Sequence, residues 1–322
     1  MLLKVLNLCT YYQTGSSYVR AVDDISFELA KGETLGVVGE SGCGKTAAAL
    51  SLMRLIPSPG RIVSGKILFE GKDITALSIK ELLSIRGDQI AMIFQDPMTA
   101  LNPVLSIGEQ LVEPFMIHRR LSRKVAIPLC IELLNKVRIP DAGSRMKSYP
   151  HELSGGMRQR VMIAMALALN PKIIIADEPT TALDVSIQAE LLELLKNITR
   201  EQNASLMLIT HNLGIVARYA DRVMIMYAGR IVEKAFTLNL YQTPLHPYTK
   251  GLLDSVPRLN QNNNKKLTPI KGQPPDLANL PQGCAFYERC TLKEARCKAK
   301  APTLKKFTCD HEVACWLKEE GK

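Results

Sequence analysis

No apolar run in this chain approaches the roughly 18 residues that a bilayer-crossing helix requires. The N-terminus, MLLKVLNLCTYYQ, lacks the charged-then-apolar order of a secretory leader. These two absences predict a soluble, cytoplasmic protein. The C-terminal end is Lys-rich but lacks the alternation of aromatic and basic residues that stacks on bases. Its 13 Lys and Arg against 7 Asp and Glu from Arg258 onward therefore read as a solvated basic face, with no nucleic acid partner expected. Closely spaced C-x₂₋₄-C pairs, usual in zinc sites, are missing as well.

What is present is 322 residues, enough for one α/β domain of ordinary size plus an appendage. The densest text is LSGGMRQRVMIAMALALNPKIIIADEPTTALD, running from Leu153 to Asp184. Ser154, Gly155 and Gly156 open a helix-periodic apolar run, and a helix starting there presents free N–H groups to an anionic phosphate. Asn170-Pro171 stops that helix, and Ile173–Ala176 has the unbroken apolar character of a buried parallel strand. Asp177 and Glu178 fall at its C-terminal end, where open α/β sheets place ligands. Two adjacent carboxylates there call for a metal or a reacting water.

A second motif lies upstream. The apolar strand Thr34–Val38 runs into Gly39-Glu40-Ser41-Gly42-Cys43-Gly44-Lys45-Thr46, followed by the helix-forming Ala47–Leu55. In this strand–loop–helix setting the glycines let backbone N–H groups wrap phosphates. Lys45 reaches the β/γ oxygens and the Thr46 hydroxyl ligates Mg²⁺. Cys43 reads as a small packing residue within the loop.

Residues 1–31 read as an antiparallel β layer broken at Gly15-Ser16-Ser17, and residues 62–74 as a hairpin that completes it. Ile90–Phe94 is a further strand ending at Gln95. Prolines 97, 103, 114, 128 and 140 punctuate helical pieces such as Ile107–Met116 and Ala126–Val137. Val185–Glu201 is an amphipathic helix, Ser205–Thr210 a strand ending at His211, and Val223–Tyr227 with Arg230–Glu233 a small hairpin.

These motifs, in this order, resemble the Walker A, Q-loop, signature, Walker B and D-loop of ATP-binding cassette ATPases. The resemblance implies a P-loop α/β core with an antiparallel β layer, an inserted helical subdomain over about 97–155, and a boundary near residue 240. It implies ATP and Mg²⁺, with Mg²⁺ held by Thr46, Gln95 and Asp177. Glu178 would orient or deprotonate the attacking water, while Gln95 and His211 stabilise the γ-phosphate. Tyr18, with Tyr12 as second choice, would stack on adenine. Ser154, Gly155, Gly156 and Asp184 would act across a head-to-tail pair of cassettes.

From Tyr241 onward, QTPLHPYTKGLLDSVPR resembles the C-terminal extension of oligopeptide/dipeptide importer ATPases, and the signature with Met157 resembles their D-type subunit. The implied partners are a second, F-type ATPase subunit, two membrane permeases and, through them, an extracytoplasmic binding protein. The implied place is the cytoplasmic face of the cell membrane. Related importers carry nickel, metal chelates or glutathione, so the same role for those cargoes is the alternative. A soluble cassette ATPase acting on nucleic acid or ribosomes is the rival from another class, supported only by the basic tail. Neither a second cassette nor a coiled-coil insertion accompanies it.

Asn260–Pro275 reads as a polar linker, beyond which five of the eight cysteines crowd the last 39 residues. A disulfide framework does not suit a reducing compartment. The resemblance implies a 4Fe–4S cluster on Cys284, Cys290, Cys297 and Cys315, with zinc as alternative; Cys309 is a fifth candidate and His311 a neighbour. A tail acting as an iron or redox sensor is a further possibility.

Overall fold

Leu3 and Val5, then Leu8 and Thr10, are buried while several of their neighbours are not, a period-two pattern shifted by an irregularity between Val5 and Leu8 that keeps one face of the strand inward. In the computed structural model, residues 1–180, 184–255 and 269–318 are described. Their strands are β1 (Leu3–Thr14), β2 (Ser17–Leu29), β3 (Thr34–Val38), β4 (Gly60–Phe69), β5 (Lys72–Asp73) and β6 (Ile90–Ile93). Then follow β7 (Ile173–Asp177), β8 (Ser205–Thr210), β9 (Arg222–Tyr227), β10 (Arg230–Phe236), β11 (Lys305–Thr308) and β12 (His311–Val313). The chain divides into two compact units. One comprises Met1–Leu29, Thr34–Thr75 and Ile209–Lys322; the other Ala30–Glu33 and Ala76–Leu208.

In the first unit β1 and β2 form a hairpin, turned at Gly15 with φ +58°, and a four-stranded antiparallel sheet runs in the order β2-β1-β4-β5. A second run of strands has the order β11-β12-β10-β9-β3. In it β3 pairs β9 in parallel, Val37 opposite Met224, and β10 pairs β12 antiparallel, Glu233 opposite Val313. The cysteine-rich tail thus adds strands to the core instead of standing apart from it. The edge of β10 would otherwise leave a row of backbone donors and acceptors unpaired.

In the second unit β6 and β7 pair in parallel, Met92 opposite Ile175. Every residue of both strands is buried, as their unbroken apolar text requires. The helices Ile107–Arg119, Arg123–Lys136 and Gly155–Leu167 pack on one another. The first runs three residues past the expected Met116, the second starts three before Ala126 and ends one short of Val137, and they carry Pro114 and Pro128 in their interiors. A capping box between Ser106 and Glu109 starts the first, and Leu111, Val112 and Phe115 bury its inner face, which offsets the hydrogen bond lost at Pro114. The linker expected over 260–275 lies outside the described residues as far as 268.

Candidate functional site

The first unit holds the glycine-rich loop Gly39–Thr46. β3 delivers it, and the helix Lys45–Leu52 leaves it. A Cβ on Gly39 would sit 2.3 Å from the Met226 carbonyl oxygen, and one on Gly44 would sit 2.0 Å from that of Ala21. Gly44 also has φ +105°, where side chains are strained. Lys45 is buried and folds back across the loop, its Nζ donating to the carbonyls of Gly39 (2.8 Å) and Glu40 (3.0 Å). Ser41, Gly42 and Thr46 are exposed, so the loop and the first turn of the helix face solvent. Cys43 is buried, and burial raises its thiol pKa, which fits a packing side chain and not a nucleophile.

Glu40 is held from three sides. Its carboxylate accepts two hydrogen bonds from Arg289, at 2.7 and 2.9 Å. Its N–H donates to the Tyr248 hydroxyl at 3.0 Å, and its carbonyl takes the Lys45 bond. Sequence reasoning missed Arg289 and Tyr248. Tyr248 stands in the H-P-Y-T segment and Arg289 directly before Cys290, but nothing in linear text ties either to residue 40.

In the same unit His211 is exposed at the end of β8. It is followed by Asn212, whose Oδ1 accepts from Gly214 and Ile215 N–H to cap the helix Leu213–Tyr219. Tyr18 on β2 is 40% exposed, whereas Tyr12 on β1 is half-buried, its ring against Gly60. Burial raises the Tyr12 phenol above its ordinary pKa.

The second unit holds the acidic pair Asp177-Glu178 and the Ser154–Gly156 turn. Asp177 ends β7 and is 1% exposed. Glu178 follows in left-handed backbone at φ +45° and accepts a hydrogen bond from Gln95 Nε2 at 3.3 Å. The structure therefore brings together two residues that are 83 positions apart. Ser154 caps the helix Gly155–Leu167, its Oγ accepting from Met157 N–H. Among the described residues nothing stands within 4 Å of a Cβ on Gly155, and that on Gly156 would meet only Ile187 at 3.6 Å, so the turn has open space around it. Asp184 is exposed and opens the helix Val185–Glu201 without a side-chain cap bond.

In the tail, Cys284, Cys290, Cys297 and Cys315 line one narrow apolar cavity of about 20 Å³ with Phe286, Leu292 and Trp316. Cys309 lies apart, exposed, with its thiol on Asp310. Burial pushes the Cys284 thiol up to about 11 and raises those of Cys290 and Cys315 as well.

Comparison with known proteins gives a consistent result. Residues 22–181 match the family described as ABC transporter, and residues 232–297 match the oligopeptide/dipeptide transporter C-terminal region. The chain is 51% identical over 319 residues to the dipeptide transport ATP-binding protein DppD of Bacillus subtilis, covering 99% of this chain and 95% of that protein. It is 48% identical over 319 residues to the oligopeptide transport ATP-binding protein OppD of Haemophilus influenzae, covering 99% and 98%. Among solved structures it resembles the ATP-binding cassette MJ0796, in a dimeric post-hydrolysis state bound to ADP and Pi. That match has a TM-score of 0.66 at 27% identity, over 73% of this chain and 98% of that one.

The expected iron–sulfur cluster is overturned. Among the described residues no group of three or more His, Cys, Asp or Glu could hold a metal ion, which removes the zinc alternative too. The full-length relatives are named as ATP-binding proteins, without a cluster. The physical reason lies in the cavity. Its volume suits about one water, far below a four-iron core, and Phe286, Leu292 and Trp316 share its walls with the thiols.

Proposed function

The chain belongs to the ABC transporter family, and on that premise we propose that it is the ATP-hydrolysing, energy-coupling subunit of a dipeptide/oligopeptide importer. The observation that carries this is the joint occurrence, in one chain, of the phosphate loop Gly39–Thr46 and the importer-type C-terminal region over 232–297. The residue types suit Mg²⁺, a hard cation that takes oxygen ligands: the exposed Thr46 hydroxyl in the first unit, and the Asp177 carboxylate and Gln95 amide in the second. When bound, Mg²⁺ would neutralise charge on the β and γ phosphate oxygens.

The protein groups then have separate tasks. Lys45 leaves the loop carbonyls for the phosphates, and the N–H groups of residues 39–46 wrap them. Glu178 orients or deprotonates the attacking water, with Gln95 holding its carboxylate. His211 and Gln95 stabilise the γ-phosphate, and Tyr18, the more exposed of the two tyrosines, stacks on adenine. Ser154, Gly155, Gly156 and Asp184 serve the nucleotide of a partner cassette. Catalysis of this kind is positioning plus electrostatics.

The partner cassette is an F-type ATPase subunit, and the pair works with two permeases and an extracytoplasmic binding protein. Among the described residues no helix is long and apolar enough to cross a membrane. We place the chain peripherally, on the cytoplasmic face, attached through the permeases.

The test is Glu178→Gln within the assembled transporter. ATP binding should persist, because Lys45 and Thr46 are untouched, while turnover falls by about 100-fold or more. Turnover near that of the unaltered transporter would remove Glu178 from the proton-handling role.

A further inference from the structure

Glu40 is an awkward residue for a loop that cradles a polyanion. A carboxylate within a few ångströms of a triphosphate repels it, and more strongly where the surroundings exclude water. In this protein that charge is answered from the far end of the chain. Arg289, whose side chain is 5% exposed, forks onto both carboxylate oxygens in the bidentate geometry that gives guanidinium–carboxylate pairs their strength and direction. The guanidinium is itself located. It lies 5.8 Å from the centre of the Tyr227 ring and 5.9 Å from that of Phe286, and Nε donates to the Lys271 carbonyl at 3.1 Å.

The same aromatic cluster holds the loop's backbone. Tyr227 and Tyr248 are fully buried, with ring centres 4.6 Å apart, and Phe286 stands edge-on to Tyr227 at 5.3 Å. From that cluster the Tyr248 hydroxyl takes the Glu40 N–H. Side chain and backbone of one loop residue are thus gripped by two residues of the C-terminal region. Both, with the loop, belong to one compact unit.

We propose that Arg289 and Tyr248 are positioning residues for nucleotide binding: the C-terminal region neutralises Glu40 and presets the phosphate loop, so that the tail sets the affinity for ATP. This rests on the reading of residues 39–46 as the nucleotide's phosphate loop. It gives the tail a task in the ATP cycle that needs no metal. Removing Arg289 leaves Glu40 as an unanswered negative charge beside the phosphates, so the loss should be one of charge and should be repaired by removing that charge.

The experiment titrates the full chain with Mg²⁺ and a fluorescent N-methylanthraniloyl ATP. Arg289→Gln should weaken binding by about tenfold or more, and adding Glu40→Gln to it should recover most of that loss. Such repair separates a charge-positioning role from a merely structural one, which neutralising Glu40 would not mend. Binding by Arg289→Gln equal to that of the unaltered chain overturns the inference, and so does a loss that Glu40→Gln leaves unrepaired. Should Arg289→Gln fail to fold, Arg289→Met removes the charge but keeps an apolar side chain beside Tyr227 and Phe286. It is read alone and with Glu40→Gln in the same way, and no difference between the two overturns the inference. Lys45→Ala in the same titration separates the two levels. If it binds as tightly as the unaltered chain, the phosphate-loop reading falls; if it loses binding while the Arg289 variants do not, only the role of the tail falls.

Discussion

At the scale of single residues, two positions carry consequences that a substitution would expose. Gly44 combines positive φ with the carbonyl of Ala21 where a Cβ would go. Gly44→Ala should therefore cost on the order of 1–3 kcal/mol of strain before the clash is counted. It should also abolish ATP binding by shifting the loop, which a nucleotide titration of the folded variant checks. Asp23 is the second case. Burial pushes its carboxyl up, but hydrogen bonds from Tyr11 (2.7 Å) and Arg230 (2.9 and 2.7 Å) outweigh that and leave it below the usual carboxylate range. A depressed folded-state pKa means stability that is present above about pH 4 and is lost as pH falls further, toward the folded value. Asp23→Asn should lower stability near neutral pH by roughly 1–3 kcal/mol and flatten the acid limb of the unfolding curve. An acid limb identical to that of the unaltered chain would contradict this assignment.

At the scale of elements, the joint between β10, β12 and the segment before the helix Pro247–Asp254 is built on buried ionisable groups. Glu233 on β10 is fully buried and accepts from Leu245 N–H (2.7 Å) and His246 N–H (2.9 Å), and it stands 2.7 Å from His311 Nε2 on β12. His246 caps the helix through Nδ1, which accepts the Tyr248 N–H at 3.0 Å. Burial drives the His246 imidazole down to about 4, against a partial rise from Glu233. The folded protein keeps this ring neutral between pH 6.5 and about 4, while the unfolded chain takes up the proton. Stability must therefore fall as pH drops through that window, by on the order of 1 kcal/mol per pH unit from this group. His246→Asn retains an acceptor but cannot titrate, so its unfolding free energy should fall less steeply from pH 6.5 to 4. An unchanged slope would assign the effect to other groups. Cys284 and Cys290 pack against the aromatic cluster and Cys315 against Leu245 and Val313, a use as small apolar side chains that spacing alone did not reveal.

At the scale of the whole molecule, the space around Gly155 is open among the described residues, and the proposed pairing with a second cassette would place a nucleotide there. The isolated chain should hydrolyse ATP slowly, and co-expression with an F-type subunit should raise turnover by about tenfold or more. Equal rates with and without that subunit, together with a stable homodimer, would favour self-pairing instead.

The amino-acid sequence by itself determined the cassette architecture and the strands and helices that flank each motif, because each motif is local. G-E-S-G-C-G-K-T needs only its own glycines and the flanking strand and helix, and I-I-I-A-D-E only the apolar run that buries it. Element bounds such as Val185–Glu201 and Ser205–Thr210 could be read to the residue for the same reason. Tertiary structure decided what depends on residues distant in the chain. Arg289 meets Glu40 across 249 positions, and a bidentate pair leaves no periodic trace in the text. The strands β11 and β12 are short and largely polar, and only the open edge of β10 makes them strands at all. The cysteines were misread for a related reason. Their spacing states how many thiols are near one another in sequence, whereas the room between them, a single narrow apolar cavity, is fixed by Phe286, Leu292 and Trp316 packing around them.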